Sequence, residues 1–393
     1  MYKMDRSIYI DYASTTYLKE EVLNEMIPYL TKHFGNPSSA HSMSREVKKA
    51  IFDAKVKTAK AINAGRDEIF FTSGGSEANN WALKGVAFRN KDKGNHIITT
   101  EIEHHSILNT CKYLEEQGFK VTYLPVDEKG IVSTKDLIKA INKDTILVSI
   151  MFANNEVGSI QKIKEIGAIC KERGILFHTD AVQAIGHIPV DVKEMNIDLL
   201  SMSAHKFYGP KGIGALYIRK GTKIHNLIHG GAQERAKRSG TENVSGIVGL
   251  GKAIELASNN LESENKKLTL LQDKLIDGLL SIPGTRLNGT TGEERLPGNV
   301  NISFKYVSGE AMLVALDNMG IYASSGSACA SGSLEPSHVL VSMGLPEDII
   351  KSSLRFSMGE GTTEEDIDYL IKTIPNVVKK IRSLNPEWEK ATQ

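Results

Sequence analysis

Between residues 66 and 215 the chain alternates short apolar runs rich in Ile, Val and Phe with amphipathic stretches of helical period, and this alternation narrows the fold most. The runs lie at 68–72, 96–100, 145–151, 175–180 and 199–203. Such a rhythm predicts a mostly parallel sheet with helices on both faces. Open α/β sheets bind ligands beyond the carboxyl ends of their strands, so chemistry is expected in the residues that follow each run.

After Asn243 the pattern changes. A long helical stretch at 248–280 carries Glu262, Glu264, Lys266 and Lys267 in its middle and reads as a connecting helix. A strand at 299–304, a helix at 309–318, a run of small residues at 324–333, a strand at 353–357 and a closing helix follow. Thr363, with Asp366 three residues on, marks the start of that last helix as a capping box. The expected fold class is α/β, with a large mostly parallel-sheet domain over 15–260. A smaller α+β domain is expected from 1–14 plus 261–393. A chain of 393 residues, 40% hydrophobic and 24% charged, can bury a core in each.

Forty-eight Lys plus Arg against 47 Asp plus Glu leave no strong net field. Small molecules and protein partners are therefore expected, with no direct nucleic acid and no membrane. The opening MYKMDRSIYIDYASTT lacks the continuous apolar core of a signal peptide, and stretches such as 146–153 are too short to span a bilayer. Cys111, Cys170 and Cys329 are far apart and form no CxxC pair, which fits a reducing cytoplasm.

Four segments carry candidate chemistry. In FTSGGSE at 71–77 an apolar strand meets two glycines and Ser76 before a helix, so free N–H groups could meet an anion; a plain strand-to-helix turn reads the same way. In FHTDAVQ at 177–183 the carboxylate of Asp180 ends a buried strand and needs a cationic or hydrogen-bonding partner, such as a protonated pyridine nitrogen; the bland alternative is a helix cap. In SMSAHKFYGPKG at 201–212, Lys206 follows a buried strand, with small or hydroxylated neighbours beside its amine. A lysine so placed can form a Schiff base, whereas most lysines are simply exposed. In SSGSACASGS at 324–333, Cys329 sits among the smallest residues, a setting expected to be mobile and exposed and unlike that of a packed structural cysteine.

Other patterns do not carry chemistry. GIVGLGK at 246–252 has phosphate-loop spacing, but Ala253 replaces the hydroxyl residue and no strand precedes it. His225 and His229 have helical spacing but lack the glutamate of a zinc-protease helix. His104 and His105 are adjacent and cannot both face one metal, whereas one of them could stack on a planar ligand. No intrinsic metal site is expected.

Taken together, these segments resemble the NifS/IscS family of cysteine desulfurases, within the fold-type I, class-V aminotransferase-like group of pyridoxal-phosphate enzymes. The likeness runs through FGNPSSAH, FTSGGSEANN, EHHSIL, SIMFANNEVG, FHTDAVQ, SAHKFYGPKGIGALY, RSGTEN, SSGSACASGSLEPSHVL and LRFS. It implies conversion of L-cysteine to L-alanine, with the sulfur left on Cys329 as a persulfide. Cys329 would lie in an extended catalytic loop at about 322–335. Lys206 would hold pyridoxal 5'-phosphate, Asp180 would pair with its ring nitrogen and His104 would stack on the ring. Gln183 would bond the phenolic oxygen, and Gly75, Ser76, Ser203 and His205 would hold the phosphate. Thr241 would reach the phosphate of the other subunit, which implies a homodimer. Asn155, beside the cofactor, and Arg355 would receive the substrate carboxylate.

The implied sulfur acceptor is an iron-sulfur scaffold protein of the NifU/IscU kind or another thiolation partner, with Cys329 as a transient iron-sulfur ligand shared with it. One departure stands at 11–16, where DYASTT replaces the DNNATT or DNAATT of the family. Tyr12 and Ser14 are expected to touch the edge of the pocket but no residue that makes bonds. The competing readings are another enzyme of the same fold type, a selenocysteine lyase or an aminotransferase, and a non-catalytic assembly scaffold. The scaffold reading predicts loss of the lysine, the aspartate or the cysteine, and all three are present.

Overall fold

The computed structural model describes residues 7–325, 336–386 and 388. The alternating segment forms a seven-stranded sheet. Its strands in spatial order are Ile69–Thr72, Gly214–Ile218, Leu199–Ser203, Leu176–Asp180, Thr145–Ser149, His96–Thr100 and Lys120–Leu124. The last five are mutually parallel, while Gly214–Ile218 runs antiparallel to both its neighbours. The central strands are buried along their whole length because helices cover both faces, which is why they read as continuous apolar runs. Successive side chains go to opposite sides: Val148 and Leu200 join one apolar cluster, Leu147 and Leu199 the other.

Two strands of this sheet escape the sequence pattern. Lys120–Leu124 is an edge strand whose first residue is exposed, so its apolar run is interrupted. Gly214–Ile218 follows directly on the Gly209 to Gly212 turn, which masks its start.

The long helix spans Val244–Leu280 and begins earlier than expected, because Asn243 Oδ1 accepts the Gly246 N–H at 3.2 Å and caps it there. Its first half buries Ile247, Leu250 and Ile254 against the large sheet's core. Its second half buries Leu268, Leu271, Leu275 and Leu279 in a separate core. Its phosphate-loop-like glycines are packing devices. A Cβ on Gly249 would come within 2.7 Å of Met26 Sδ, and one on Gly251 within 2.8 Å of Ala54 Cα. Their absence lets the Glu20–Thr31 and Ser42–Ala61 helices pack closely against the long one.

The second core lies on a three-stranded antiparallel sheet of Ser353–Ser357, Asn299–Phe304 and Thr285–Leu287. Ile8 and Ile10, from the start of the chain, join this core. The Glu364–Arg382 helix opens on the expected capping box: Thr363 Oγ1 accepts the Asp366 N–H at 3.2 Å, and Asp366 Oδ2 accepts the Thr363 N–H at 3.1 Å. His225 and His229 do not lie on a helix; their segment is coil, and His225 O accepts the Trp81 indole N–H at 3.0 Å. Among the described residues, no helix is long and apolar enough to cross a membrane.

Candidate active site

The carboxyl ends of the parallel strands converge on a cavity of about 230 Å³. Gly75, Ser76, His104, Asn155, Asp180, Gln183, Ser203, His205, Lys206 and Arg355 all line it. Eleven positions were expected around cofactor and substrate besides Cys329, and ten meet here. Thr241, expected to serve the phosphate of a second copy and not this cavity, lines a neighbouring groove with Ser73, Glu234 and Arg238. Cys329 lies outside the described residues.

Each side chain is placed by its element. Gly75 and Ser76 open the Gly75–Arg89 helix, whose first N–H groups have no carbonyl behind them and aim the positive end of the helix dipole into the cavity. A Cβ on Gly75 would stand 2.7 Å from Val182 Cγ2, so glycine keeps this cradle open. Asp180 ends its strand and does not cap a helix; Oδ1 accepts the Val182 N–H at 3.0 Å and Oδ2 accepts from Asn79 Nδ2 at 2.6 Å. Lys206 lies in a single 3-10 turn after the Leu199–Ser203 strand, and its Nζ donates to Ala13 O at 2.7 Å and Ser14 O at 2.8 Å. Gln183 Nε2 also donates to Ala13 O, at 3.0 Å.

His104 caps the next helix, with Nδ1 accepting the Ser106 N–H at 3.1 Å and meeting Ser106 Oγ at 2.8 Å. Asn79 bridges Ser106 and Asp180, so the ring of His104 and the carboxylate of Asp180 are tied through two side chains that sequence reasoning missed. A signal was available: Asn79 stands four residues after Gly75, on the same helix face. Glu103, directly before His104, is fully buried. Its Oε1 accepts from Thr100 Oγ1 and from the Met151 N–H, both at 2.8 Å, while Oε2 has no partner among the described residues. Burial above all pushes its carboxyl up to about 8, so it is mostly protonated at neutral pH. His205, with Nδ1 3.1 Å from Thr15 Oγ1, is pushed down to about 4 by burial and then by Lys206 and Lys211, so its ring is neutral.

Arg355 is 2% exposed. Its Nη2 donates to Asp11 Oδ1 at 2.7 Å and to Ser14 Oγ at 2.6 Å, and its Nη1 to Asn155 O at 3.0 Å. This corrects the expectation for the DYASTT departure. Ser14 touches Lys206 through its carbonyl and Arg355 through its hydroxyl, because the opening segment folds across the cavity instead of along its rim. Tyr12 packs away from these groups, edge-on to Tyr9 at 4.9 Å and beside Tyr208 at 6.2 Å.

The described residues flanking the Cys329 segment are anchored to this cavity. Ser324 and Arg355 exchange backbone hydrogen bonds at 3.2 and 2.7 Å. On the far side Ser337 Oγ donates to Glu156 Oε2 at 2.5 Å, and His338 Nε2 lies 2.9 Å from Glu103 O.

Fold and cradle together define the class: a family model described as aminotransferase class-V matches residues 8–370, and the chain belongs to that family. Within it, the chain is 61% identical over 388 residues to a cysteine desulfurase IscS from Clostridium botulinum, covering 98% of each. It is 58% identical to a cysteine desulfurase IscS from Methanosarcina thermophila, covering 97% of this chain and 94% of the relative. A solved NifS-like protein superposes with a TM-score of 0.90 at 42% identity, over 95% of this chain and all of that one. The chain therefore stands in the cysteine desulfurase branch, whose members are pyridoxal-phosphate enzymes.

Proposed function

We propose that this chain binds pyridoxal 5'-phosphate in the cavity and desulfurates L-cysteine to L-alanine, passing the sulfur through Cys329 to an acceptor protein. The observation that carries the reading is that the Lys206 amine, the hydrogen-bonded Asp180 carboxylate, the open helix start at Gly75 and Ser76, and the Arg355 guanidinium share one lining. The donor set suits the cofactor. Ser76, Ser203, neutral His205 and the first-turn N–H groups would hold its phosphate. Asp180 would hold a proton on its ring nitrogen, His104 would cover one ring face and Gln183 would bond its phenolic oxygen. When bound, the cofactor supplies an electron sink for charge developing at the substrate Cα.

The chain's residues do the rest. Arg355 and Asn155 orient the substrate carboxylate. Lys206 Nζ, which would anchor the cofactor in the resting enzyme, takes the proton from Cα and returns one to the product. The thiolate of Cys329 attacks the substrate sulfur, so that a C–S bond breaks, an S–S bond forms on the enzyme and the carbon skeleton leaves as alanine.

Thr241, turned into a separate groove, is assigned to the phosphate of a second copy, which makes the working form a homodimer. The division near residue 260 separates a cofactor-binding part from the part carrying Cys329. An iron-sulfur scaffold protein or another thiolation partner takes the sulfur, in a reducing cytoplasm that keeps Cys329 a thiol. Incubation of the purified protein with L-cysteine and a reductant tests the reading: sulfide and alanine should appear in equal amounts, and absence of both overturns it.

A further inference from the structure

Ser14 stands where the resembled family more often carries alanine, and its hydroxyl is built into the arginine site. Arg355 Nη2 donates to it at 2.6 Å, and it donates onward to Asp11 Oδ1 at 2.9 Å. Asp11 Oδ1 also accepts from Nη2, at 2.7 Å, while Nη1 is held by Asn155 O. Arg355 Nε is buried and has no partner among the described residues.

A guanidinium grips a carboxylate through two parallel N–H groups on one edge, and both edges able to do so include Nη2. Nη2 already donates to two acceptors, Asp11 Oδ1 and Ser14 Oγ, so a carboxylate that engages Nη2 competes with one of them. The bond to Asp11 is charge-assisted on both sides, whereas the serine oxygen is neutral and therefore the weaker acceptor.

We propose that Ser14 is a positioning residue that holds the Nη2 donor of Arg355 in the resting site and gives it up to the carboxylate of the amino-acid substrate, thereby setting how tightly that carboxylate binds. The inference rests on the assignment of Arg355 to the substrate carboxylate. The hydrogen bond between Lys206 and Ser14 runs to the serine's backbone carbonyl, which a side-chain change leaves in place. Without the hydroxyl, the resting Arg355 keeps a buried donor unmatched, and the arriving carboxylate fills it at no exchange cost.

The test uses the cofactor-loaded enzyme and its S14A, S14T and R355K variants. In S14A, KM for L-cysteine should fall by roughly three- to tenfold, while kcat changes by less than about twofold. S14T keeps an acceptor oxygen and should restore the KM. Titration of the cofactor absorbance should show L-alanine binding more tightly to S14A than to wild type, with ethylamine, which has no carboxylate, unchanged. An unchanged or raised KM in S14A, or an equal shift for alanine and ethylamine, overturns the role of Ser14. If R355K fails to raise KM for cysteine, the arginine assignment itself falls. A raised KM in R355K with an unmoved S14A refutes the serine alone.

Discussion

Asn79 Nδ2 lies 2.6 Å from Asp180 Oδ2 and 2.8 Å from Ser106 Oγ, so one buried amide holds both the carboxylate at the end of the fourth sheet position and the hydroxyl that steadies His104. A hydrogen bond to a charged group contributes about 1.5–3 kcal/mol. Asn79→Ala should therefore weaken pyridoxal-phosphate binding by roughly 10- to 100-fold, read by equilibrium titration of the cofactor absorbance. Unaltered affinity would show that Asp180 does not depend on this amide.

Lys206 makes a separate prediction. Borohydride treatment of the loaded wild-type protein should fix the cofactor covalently to Lys206, and Lys206→Ala should retain none after denaturation. Alanine formation in that variant should drop by about 10²- to 10⁴-fold, the usual contribution of one acid–base group. Covalent retention in the variant would move the anchor elsewhere.

The three cysteines are chemically unequal. Cys170 is buried and its thiol is pushed up to about 12, chiefly by burial, and Cys111 is pushed up further for the same reason. Neither forms a thiolate at neutral pH. Cys329→Ala should therefore bind L-cysteine with the same change in cofactor spectrum yet carry no persulfide by mass spectrometry. Protein-bound persulfide in that variant would refute the assignment.

Glu103 gives a stability prediction with a definite sign. Its carboxyl titrates near 8 in the fold against an ordinary value of 4.5. Below 4.5 it is protonated in both folded and unfolded chains. As pH rises from 4.5 to 8 the unfolded chain ionises first, so stability is lost across that window at up to about 1.4 kcal/mol per pH unit. Glu103→Gln removes this loss while keeping an oxygen for Thr100 and Met151. The melting temperature of the variant relative to wild type should thus rise between pH 5 and pH 8 in scanning calorimetry. An equal difference at both values would exclude ionisation of Glu103 as the cause.

The parallel sheet, the long connecting helix and the residue types of the cavity could be read along the chain alone. Those features are local: buried strands read as apolar runs, a cap reads as Thr363 with Asp366, and a lysine or aspartate at a strand's end can be seen without knowing its neighbours. The tertiary structure decided what depends on distant segments meeting. Asp11 and Ser14 are more than 340 positions from Arg355 in the chain, yet they hold its guanidinium, because the opening segment crosses to the second sheet and back over the cavity. The glycines of the long helix, excluded as a phosphate loop by Ala253 and the missing strand, show their packing role only once Met26 and Ala54 are seen pressed against them. Spacing along the chain records periodicity and capping, whereas the partner of a buried charge is chosen by packing, which only the folded chain supplies.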